Sequence, residues 1–229
     1  MGRAGGHARP EVGTLDPMDT NVFRAWITSA AGAIEANRDH LTQLDAAIGD
    51  ADHGINLTRG FTAVLAALDA KPPATPGAVL ILTGSTLISK VGGASGPLYG
   101  MAFRRAGQAL GAAEEVDLPA LGQALDAALA GVQQLGAARE GDKTMVDALA
   151  PATRALAKAV ADGTAPADAL AAAAAAAADG AAATVSMQAR KGRASYLGPR
   201  SVGHEDPGAA STVLILTALR DAAARPPAP

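Results

Sequence analysis

Apolar residues recur every three to four positions along most of the chain, which is the spacing of a helix that buries one face. In the first such segment Val22, Trp26, Ala30 and Ile34 fall on one stripe, after Asp19 or Thr20 as a helix cap. The pattern predicts eight helices, which begin near residues 20, 53, 77, 96, 118, 146, 165 and 208. The first is predicted to run to about residue 44 and the seventh to about residue 188.

Two apolar runs, residues 79–82 and 213–216, have the length of a buried strand. An α/β fold with parallel strands at these runs is therefore an alternative. Each run continues into helix-forming residues without a turn, however, and alternation with a period of two is absent. The sequence favours an all-α fold.

The 229 residues are predicted to form a single helical domain over residues 18–225. Residues 1–17 contain Gly, Pro and Arg without any period, so they are expected to be a disordered N-terminal extension. Residues 226–229 are expected to be a frayed C-terminus.

Composition excludes several classes of function. The net charge of −3 gives no broad positive surface for nucleic acid or anionic lipid. The absence of cysteine excludes disulfides, cysteine-bound zinc and thiol catalysis. No apolar run follows the N-terminal arginines as in a signal peptide, and the alanine-rich residues 169–184 are too weakly hydrophobic for a membrane span. We therefore expect a cytoplasmic protein that binds neither nucleic acid nor membrane.

Glycine and polar residues are concentrated in four connecting segments, residues 44–60, 91–100, 136–145 and 189–210. The first holds Asp45, Asp50 and Asp52 within eight positions. Three carboxylates this close repel one another, and Mg²⁺, which prefers oxygen ligands, removes the repulsion. The alternative is that Asp50 or Asp52 is only a cap of the second helix.

The other segments carry features of a phosphate site. Residues 53–56 open a helix, whose free N–H groups attract phosphate, and Ser95 in the second segment is a candidate helix cap beside a glycine-rich turn. The third segment nearly spells a P-loop, but one residue too many separates Gly141 from Lys143 and no strand precedes it. The fourth holds four cations in eleven positions, a pattern that suits polyphosphate but also an ordinary surface loop.

Four motifs in this order resemble a known family. They are residues 44–54 (LDAAIGDADHG), 92–98 (GGASGPL), 141–145 (GDKTM) and 193–198 (RASYLG), the last running into residues 206–208 (DPG). The sequence is similar, from about residue 19 to 224, to the nucleotide-binding L subunits of dihydroxyacetone kinases that depend on the phosphotransferase system. That resemblance implies a barrel of eight antiparallel helices with the ligand site in the loops at one end.

The resemblance also implies a set of ligands and binding residues. Two Mg²⁺ ions are expected on Asp45, Asp50 and Asp52. ADP or ATP is expected to contact His53, Gly54, Ile55, Asn56, Ala94, Ser95, Gly136, Met145, Arg193, Asp206, Pro207 and Gly208.

In such a system a K subunit holds dihydroxyacetone, and an M subunit of the phosphotransferase system passes phosphate to the bound ADP. The resulting ATP phosphorylates dihydroxyacetone, in glycerol and dihydroxyacetone catabolism, and no covalent nucleophile is expected in the L subunit. Two alternatives stay open. The first is another acceptor, a four-carbon ketose or an acyl group, on a different partner. The second is a regulator that binds a transcription factor.

Overall fold

Nine α-helices and two 3-10 helices make up residues 18–224, the part of the chain that this computed structural model describes. The predicted extension, residues 1–17, and the predicted frayed end, residues 226–229, lie outside the described residues. The α-helices are α1 (Thr20–Ala36), α2 (Arg38–Ile48), α3 (His53–Ala70), α4 (Pro76–Lys90), α5 (Ser95–Leu110), α6 (Leu118–Gly136), α7 (Val146–Ala161), α8 (Pro166–Ala183) and α9 (Pro207–Ala223). The 3-10 helices are Thr184–Ser186 and Arg193–Ser201.

Eight of these α-helices form a closed ring in the order α1, α3, α4, α5, α6, α7, α8, α9 and back to α1. At one end of the ring the Thr20 hydroxyl donates to the Ala74 carbonyl, and Met18 and Val116 exchange backbone hydrogen bonds of 3.0 Å. Neighbouring helices are antiparallel, so the four glycine-rich and polar segments meet at the opposite end. The predicted all-α barrel is confirmed, and residues 79–82 and 213–216 are helical.

Aromatic side chains fill the middle of the ring. Trp26 contacts both Phe23 and Phe103 with ring centroids 5.8 Å apart, and Phe61 meets Phe103 at 6.3 Å. The Trp26 indole N–H donates to the buried Ile215 carbonyl at 2.9 Å, which satisfies the polar end of this side chain. This cluster joins α1, α3, α5 and α9 and gives the loops at the far end a rigid base.

The predicted first helix is in fact two, and the prediction that it runs unbroken to residue 44 is wrong. The break is at Asn37, whose side-chain amide donates to the Ala33 carbonyl at 2.8 Å and competes with the helical ladder. Helix α2 therefore leaves the ring and packs against α3, α9 and the 3-10 helix Arg193–Ser201. This ninth helix is the element that carries Asp45 to the loop end.

The alanine-rich helix α8 ends at Ala183, and its predicted continuation to residue 188 is wrong. The Thr184 hydroxyl donates to the Ala181 carbonyl at 2.6 Å, and the chain tightens there into a 3-10 turn. By length and mean hydropathy, 1.3, Pro166–Ser186 passes a test for a membrane span. Buried core helices pass the same test, and α8 packs between α7 and α9 in the ring.

A glycine allows α8 to approach α7 at an unusual point. Pro151 lies inside α7 and has no N–H to donate to the Asp147 carbonyl four residues earlier. Gly180 of α8 packs on that carbonyl so closely that an added Cβ would lie 2.0 Å from its oxygen. The contact fixes the first turn of α7, which leads out of the third segment.

Gly180→Ala is therefore expected to destabilise the protein by about 1–3 kcal/mol, because the backbone of α7 has to shift. Gly32→Ala is the matched control. This exposed position of α1 has open space around it, so alanine should stabilise the helix by about 0.5–1 kcal/mol. Urea denaturation of both variants checks the prediction, and equal effects at the two sites would contradict the packing described here.

Candidate functional site

The four segments surround one cavity of about 290 Å³ at the end of the ring. Twelve of the fifteen residues predicted to bind ligand line it: Asp45, Asp50, Asp52, His53, Ala94, Ser95, Gly136, Met145, Arg193, Asp206, Pro207 and Gly208. Part of its wall is apolar and comes from Ile48, Leu98, Val132, Ala138, Met145 and Val146. Residues far apart in sequence are thus brought together as the motifs predicted.

The remaining three predicted residues lie in the first turn of α3 but do not line the cavity. Gly54 packs against the Arg38 carbonyl, Ile55 is 51% exposed, and the buried Asn56 accepts a hydrogen bond from Arg59. The Asn56 N–H already donates to the Asp52 carbonyl. A phosphate contact through the backbone of these residues stays a prediction.

The three predicted metal ligands converge. Asp45, Asp50 and Asp52 each present a carboxylate oxygen, and these atoms all lie within 4.8 Å of one another. Asp45 is buried, Asp50 is exposed and Asp52 is half-buried, so the cluster faces the mouth of the cavity.

One oxygen of Asp45 stabilises the loop. Its Oδ2 accepts hydrogen bonds from the backbone N–H groups of Asp52, at 2.8 Å, and His53, at 3.1 Å. Gly49 is required beside the other oxygen, Oδ1, because an added Cβ would lie 2.0 Å from it. Asp45 therefore caps α3 from outside and keeps Oδ1 for another partner.

The alternative in which Asp52 or Asp50 only caps α3 does not hold. Asp52 occupies the cap position of α3 but makes no side-chain cap hydrogen bond. Asp50 forms an ion pair of 3.0 Å with Arg193 instead. Between them Ala51 takes a left-handed backbone conformation, φ 60°, which turns both acidic side chains toward the same region.

Backbone strain is concentrated around this cavity. Among the described residues three that are not glycine have a positive φ, namely Ala51, Ala137 and Lys143. All three lie in the segments that form the cavity. Such conformations cost about 1–3 kcal/mol each and are typical of functional sites.

Lys143 was not predicted as a site residue, although it lies within the third motif. It is 1% exposed, and its ammonium group donates to the Thr184 carbonyl at 2.6 Å and to the His204 carbonyl. Burial lowers the pKa of Lys143, while Asp206 nearby opposes the shift. Lys143 thus fastens Thr184, which precedes the fourth segment, and His204, which lies within it, to the third segment.

Two acidic side chains, Asp206 and Asp147, lie near Lys143, and Asp206 also lines the cavity. Asp206 caps α9 by accepting a hydrogen bond from the Ala209 N–H at 2.7 Å. Burial raises the pKa of the Asp206 carboxyl group to about 7, and this hydrogen bond opposes the shift. Asp147 accepts from the backbone N–H groups of Gly141, at 2.6 Å, and Thr144, at 2.7 Å. Both acids hold backbone in place.

A second group of polar side chains, also missed from the sequence, lies behind His53. The His53 Nε2 atom is 2.9 Å from the Ser211 hydroxyl, which is 2.7 Å from the Tyr99 hydroxyl, which is 2.9 Å from the Thr212 hydroxyl. Burial lowers the pKa of His53 to about 4, opposed by the charge of Asp45, so the ring is neutral near pH 7. Burial raises the pKa of Tyr99 well above its usual value.

Ser95 does not cap α5, contrary to the sequence-based expectation. It is the first residue of the helix, and the cap position is held by Ala94, which makes no side-chain cap bond. Ser95 lines the cavity at the start of α5.

Known proteins are similar to this chain in sequence and in fold. A family model described as the DAK2 domain matches residues 47–221. The chain is 44% identical over 198 residues to "PEP-dependent dihydroxyacetone kinase, ADP-binding subunit DhaL" of Escherichia coli (strain K12), covering 86% of this chain and 94% of that protein. It is 40% identical over 194 residues to "PEP-dependent dihydroxyacetone kinase 1, ADP-binding subunit DhaL" of Listeria innocua, covering 85% and 92%.

A solved structure has a similar fold. The crystal structure of the dihydroxyacetone kinase from C. freundii in complex with AMP-PNP and Mg2+ superposes with a TM-score of 0.64 and 28% identity. The alignment covers 96% of this chain and 37% of that longer one. With the family match over residues 47–221, these similarities show that the chain belongs to the DAK2-domain family.

Proposed function

We propose that this protein is the ADP-binding subunit of a dihydroxyacetone kinase that depends on the phosphotransferase system. The observation that carries the proposal is the convergence of three carboxylates at the mouth of a cavity with an apolar wall. The similarity to DhaL subunits over 85% or more of the chain supports it.

The donor set fits Mg²⁺. Asp45, Asp50 and Asp52 supply only oxygen atoms, and Mg²⁺ prefers oxygen ligands, keeps some of its waters and binds through a few carboxylates together with phosphates. Asp45 Oδ1 is held toward the cluster because Oδ2 is fixed by two backbone N–H groups. We include two Mg²⁺ ions in the proposal, and Asp45, Asp50 and Asp52 are the residues that would hold them.

The rest of the cavity fits a nucleotide. Met145 and its apolar neighbours suit the adenine ring, and Gly136 allows close approach, since an added Cβ would meet Leu98 at 3.2 Å. Helices α5 and α9 begin at the cavity, and helix N-termini attract phosphate. Arg193 is placed beside Asp50, where its guanidinium group can exchange a carboxylate for phosphate oxygens.

The residues of this chain position the nucleotide and neutralise its charge, which is most of what phosphoryl transfer asks of a protein. When bound, Mg²⁺ stabilises the charge that develops on the transferred phosphoryl group. The acceptor lies on a K subunit that holds dihydroxyacetone, and an M subunit supplies phosphate to the bound ADP. All three act in the cytoplasm, and no residue of this chain is assigned as a covalent nucleophile.

Asp50→Ala and Asp52→Ala are expected to weaken Mg·ADP binding at least about 100-fold, because each removes a metal ligand. They are preferred to Asp45 variants, which would also remove the cap of α3. Calorimetric titration of ADP in Mg²⁺ measures the affinity, and phosphoryl transfer with the K and M subunits measures the activity. Both should fall while the far-UV circular dichroism stays helical.

Asp126→Ala is the matched control, an exposed carboxylate on α6 away from the cavity. It should leave binding and activity unchanged. Full ADP binding by both cluster variants would contradict the metal assignment. Binding without transfer to dihydroxyacetone, but with transfer to a ketose or acyl acceptor, would replace the proposed acceptor.

Arg193→Ala is expected to raise the Kd for Mg·ADP about tenfold, since a charged hydrogen bond to phosphate is lost. Arg200→Ala, in the same 3-10 helix but not part of the cavity lining, should change the Kd less than twofold. The same titration compares them. Equal losses at the two positions would show that the segment acts only through its overall charge.

A further inference from the structure

The fourth segment is part of a longer loop whose two ends meet. Residues 185–205, called the arm below, lead from the end of α8 back to the start of α9. The Gly203 N–H donates to the Val185 carbonyl at 2.7 Å, and the Asp206 N–H donates to the Thr184 hydroxyl at 3.0 Å. These two hydrogen bonds close the neck of the arm, which consists of residues 184–185 and 203–206.

The far part of the arm reaches the acidic cluster. Its 3-10 helix, Arg193–Ser201, packs on α2, and the guanidinium group of Arg193 pairs with Asp50 at 3.0 Å. Within the arm the buried Ser201 hydroxyl accepts a hydrogen bond of 2.9 Å from the Ala189 N–H. Because that bond joins the two sides of the arm, a displacement of the neck is expected to move Arg193 away from Asp50.

Lys143 of the third segment joins both sides of the neck. Its ammonium group donates to the Thr184 carbonyl on one side, at 2.6 Å, and to the His204 carbonyl on the other. The direction of both bonds is certain, because an ammonium group only donates and a carbonyl oxygen only accepts. Within residues 18–224 the His204 carbonyl has no other hydrogen-bond partner. The neck therefore depends on this one side chain for its attachment to the third segment.

Two properties of Lys143 are unfavourable for folding. Its side chain is buried, and among the residues that the structure describes it forms no ion pair, so a charge is held away from water by carbonyl groups alone. Its φ of 61° is in the left-handed region, where glycine is less strained than lysine. Residues with unfavourable features of this kind are concentrated at functional sites.

The position of Lys143 connects the two ends of the proposed nucleotide site. Lys143 lines the cavity and lies two residues before Met145, whose side chain suits the adenine ring. Through the arm it is also connected to Arg193, at the end where the phosphates are proposed to bind. One side chain thus sets the distance between the apolar wall and the phosphate-binding cation.

We propose that Lys143 is a positioning residue that clamps the neck of the arm and thereby holds Arg193 at the acidic cluster, ready for the phosphates of a nucleoside diphosphate. The part that concerns phosphate rests on the proposed function. The part that concerns the arm rests on contacts within the protein alone.

The clamp is tested first without nucleotide, by amide hydrogen exchange and mass spectrometry. Lys143→Met keeps the length of the side chain and removes the ammonium group. We expect exchange in the arm to become at least about tenfold faster, while exchange in α1 and α5 stays unchanged. Unchanged exchange in the arm, or faster exchange throughout the ring, overturns the inference. Lys143→Gly, which suits the left-handed backbone, is the second variant if Lys143→Met does not fold.

The link to Arg193 is tested by a double-mutant cycle on the Kd for Mg·ADP. Lys143→Met should raise the Kd about tenfold, since Arg193 is no longer held in place. In an Arg193→Ala background the same substitution should raise the Kd less than about threefold, because its effect passes through the missing guanidinium group. An equal loss in both backgrounds overturns the inference.

The need for the ammonium group itself is tested by chemical rescue. The chain has no cysteine, so the thiol of Lys143→Cys can be alkylated selectively in urea and the protein then refolded. Treatment with 2-bromoethylamine rebuilds an ammonium group at lysine length, and 1-bromopropane builds a neutral chain of the same shape. The first product should bind Mg·ADP within about threefold of the unaltered protein, and the second about tenfold more weakly. Equal Kd values for the two products would show that Lys143 only fills space, and would overturn the inference.

Lys71→Met is the matched control, because Lys71 is exposed at the end of α3 that points away from the cavity. It should change neither the hydrogen exchange of the arm nor the Kd. Absence of ADP binding by the unaltered protein would overturn the proposed function alone, because the exchange experiment is carried out without nucleotide.

Discussion

Electrostatic repulsion among three carboxylates at the end of a helical ring is the constraint on which this site depends. Oxygens of Asp45, Asp50 and Asp52 lie within 4.8 Å of one another, and like charges at that distance destabilise the fold unless cations balance them. The protein offsets part of this repulsion through the ion pair of Arg193 with Asp50 and through the two hydrogen bonds that Asp45 accepts from backbone N–H groups. In the proposed function a divalent cation beneath a polyphosphate would offset the rest, so that ligand binding and relief of repulsion would be the same event.

The fold holds these charges in place by keeping its strain and polar groups at one end. The aromatic cluster around Trp26 and the close contact of Gly180 with α7 make the ring rigid. The left-handed backbone conformations of Ala51 and Lys143 then set the course of the loops at the end of this ring. Lys143 ties the fourth segment to the third, and Ser211 ties α9 to His53, so the walls of the cavity are connected to one another as well as to the ring.

The helical ring and the convergence of the three aspartates were largely predictable from the sequence, because helical periodicity and clustered aspartates are local signals. The break at Asn37 was not, since Leu41 continues the apolar spacing of α1 and only a side-chain hydrogen bond interrupts the ladder. The sequence did not predict roles for Lys143, Tyr99 and Ser211. The hydrogen-bond partners that define their roles are distant in sequence. Ala51 gave no signal either, since a left-handed turn is expected at glycine, not alanine. The predicted nucleotide contacts of residues 54–56 depend on backbone groups, which a residue pattern does not report on.

The most direct measurement is a crystal structure of the protein grown with ADP and Mn²⁺, with anomalous scattering used to locate the metal. We expect metal peaks bonded to Asp45 Oδ1 and to the carboxylates of Asp50 and Asp52, next to the diphosphate of ADP. A nucleotide bound in the cavity with no metal at these side chains would contradict the metal assignment.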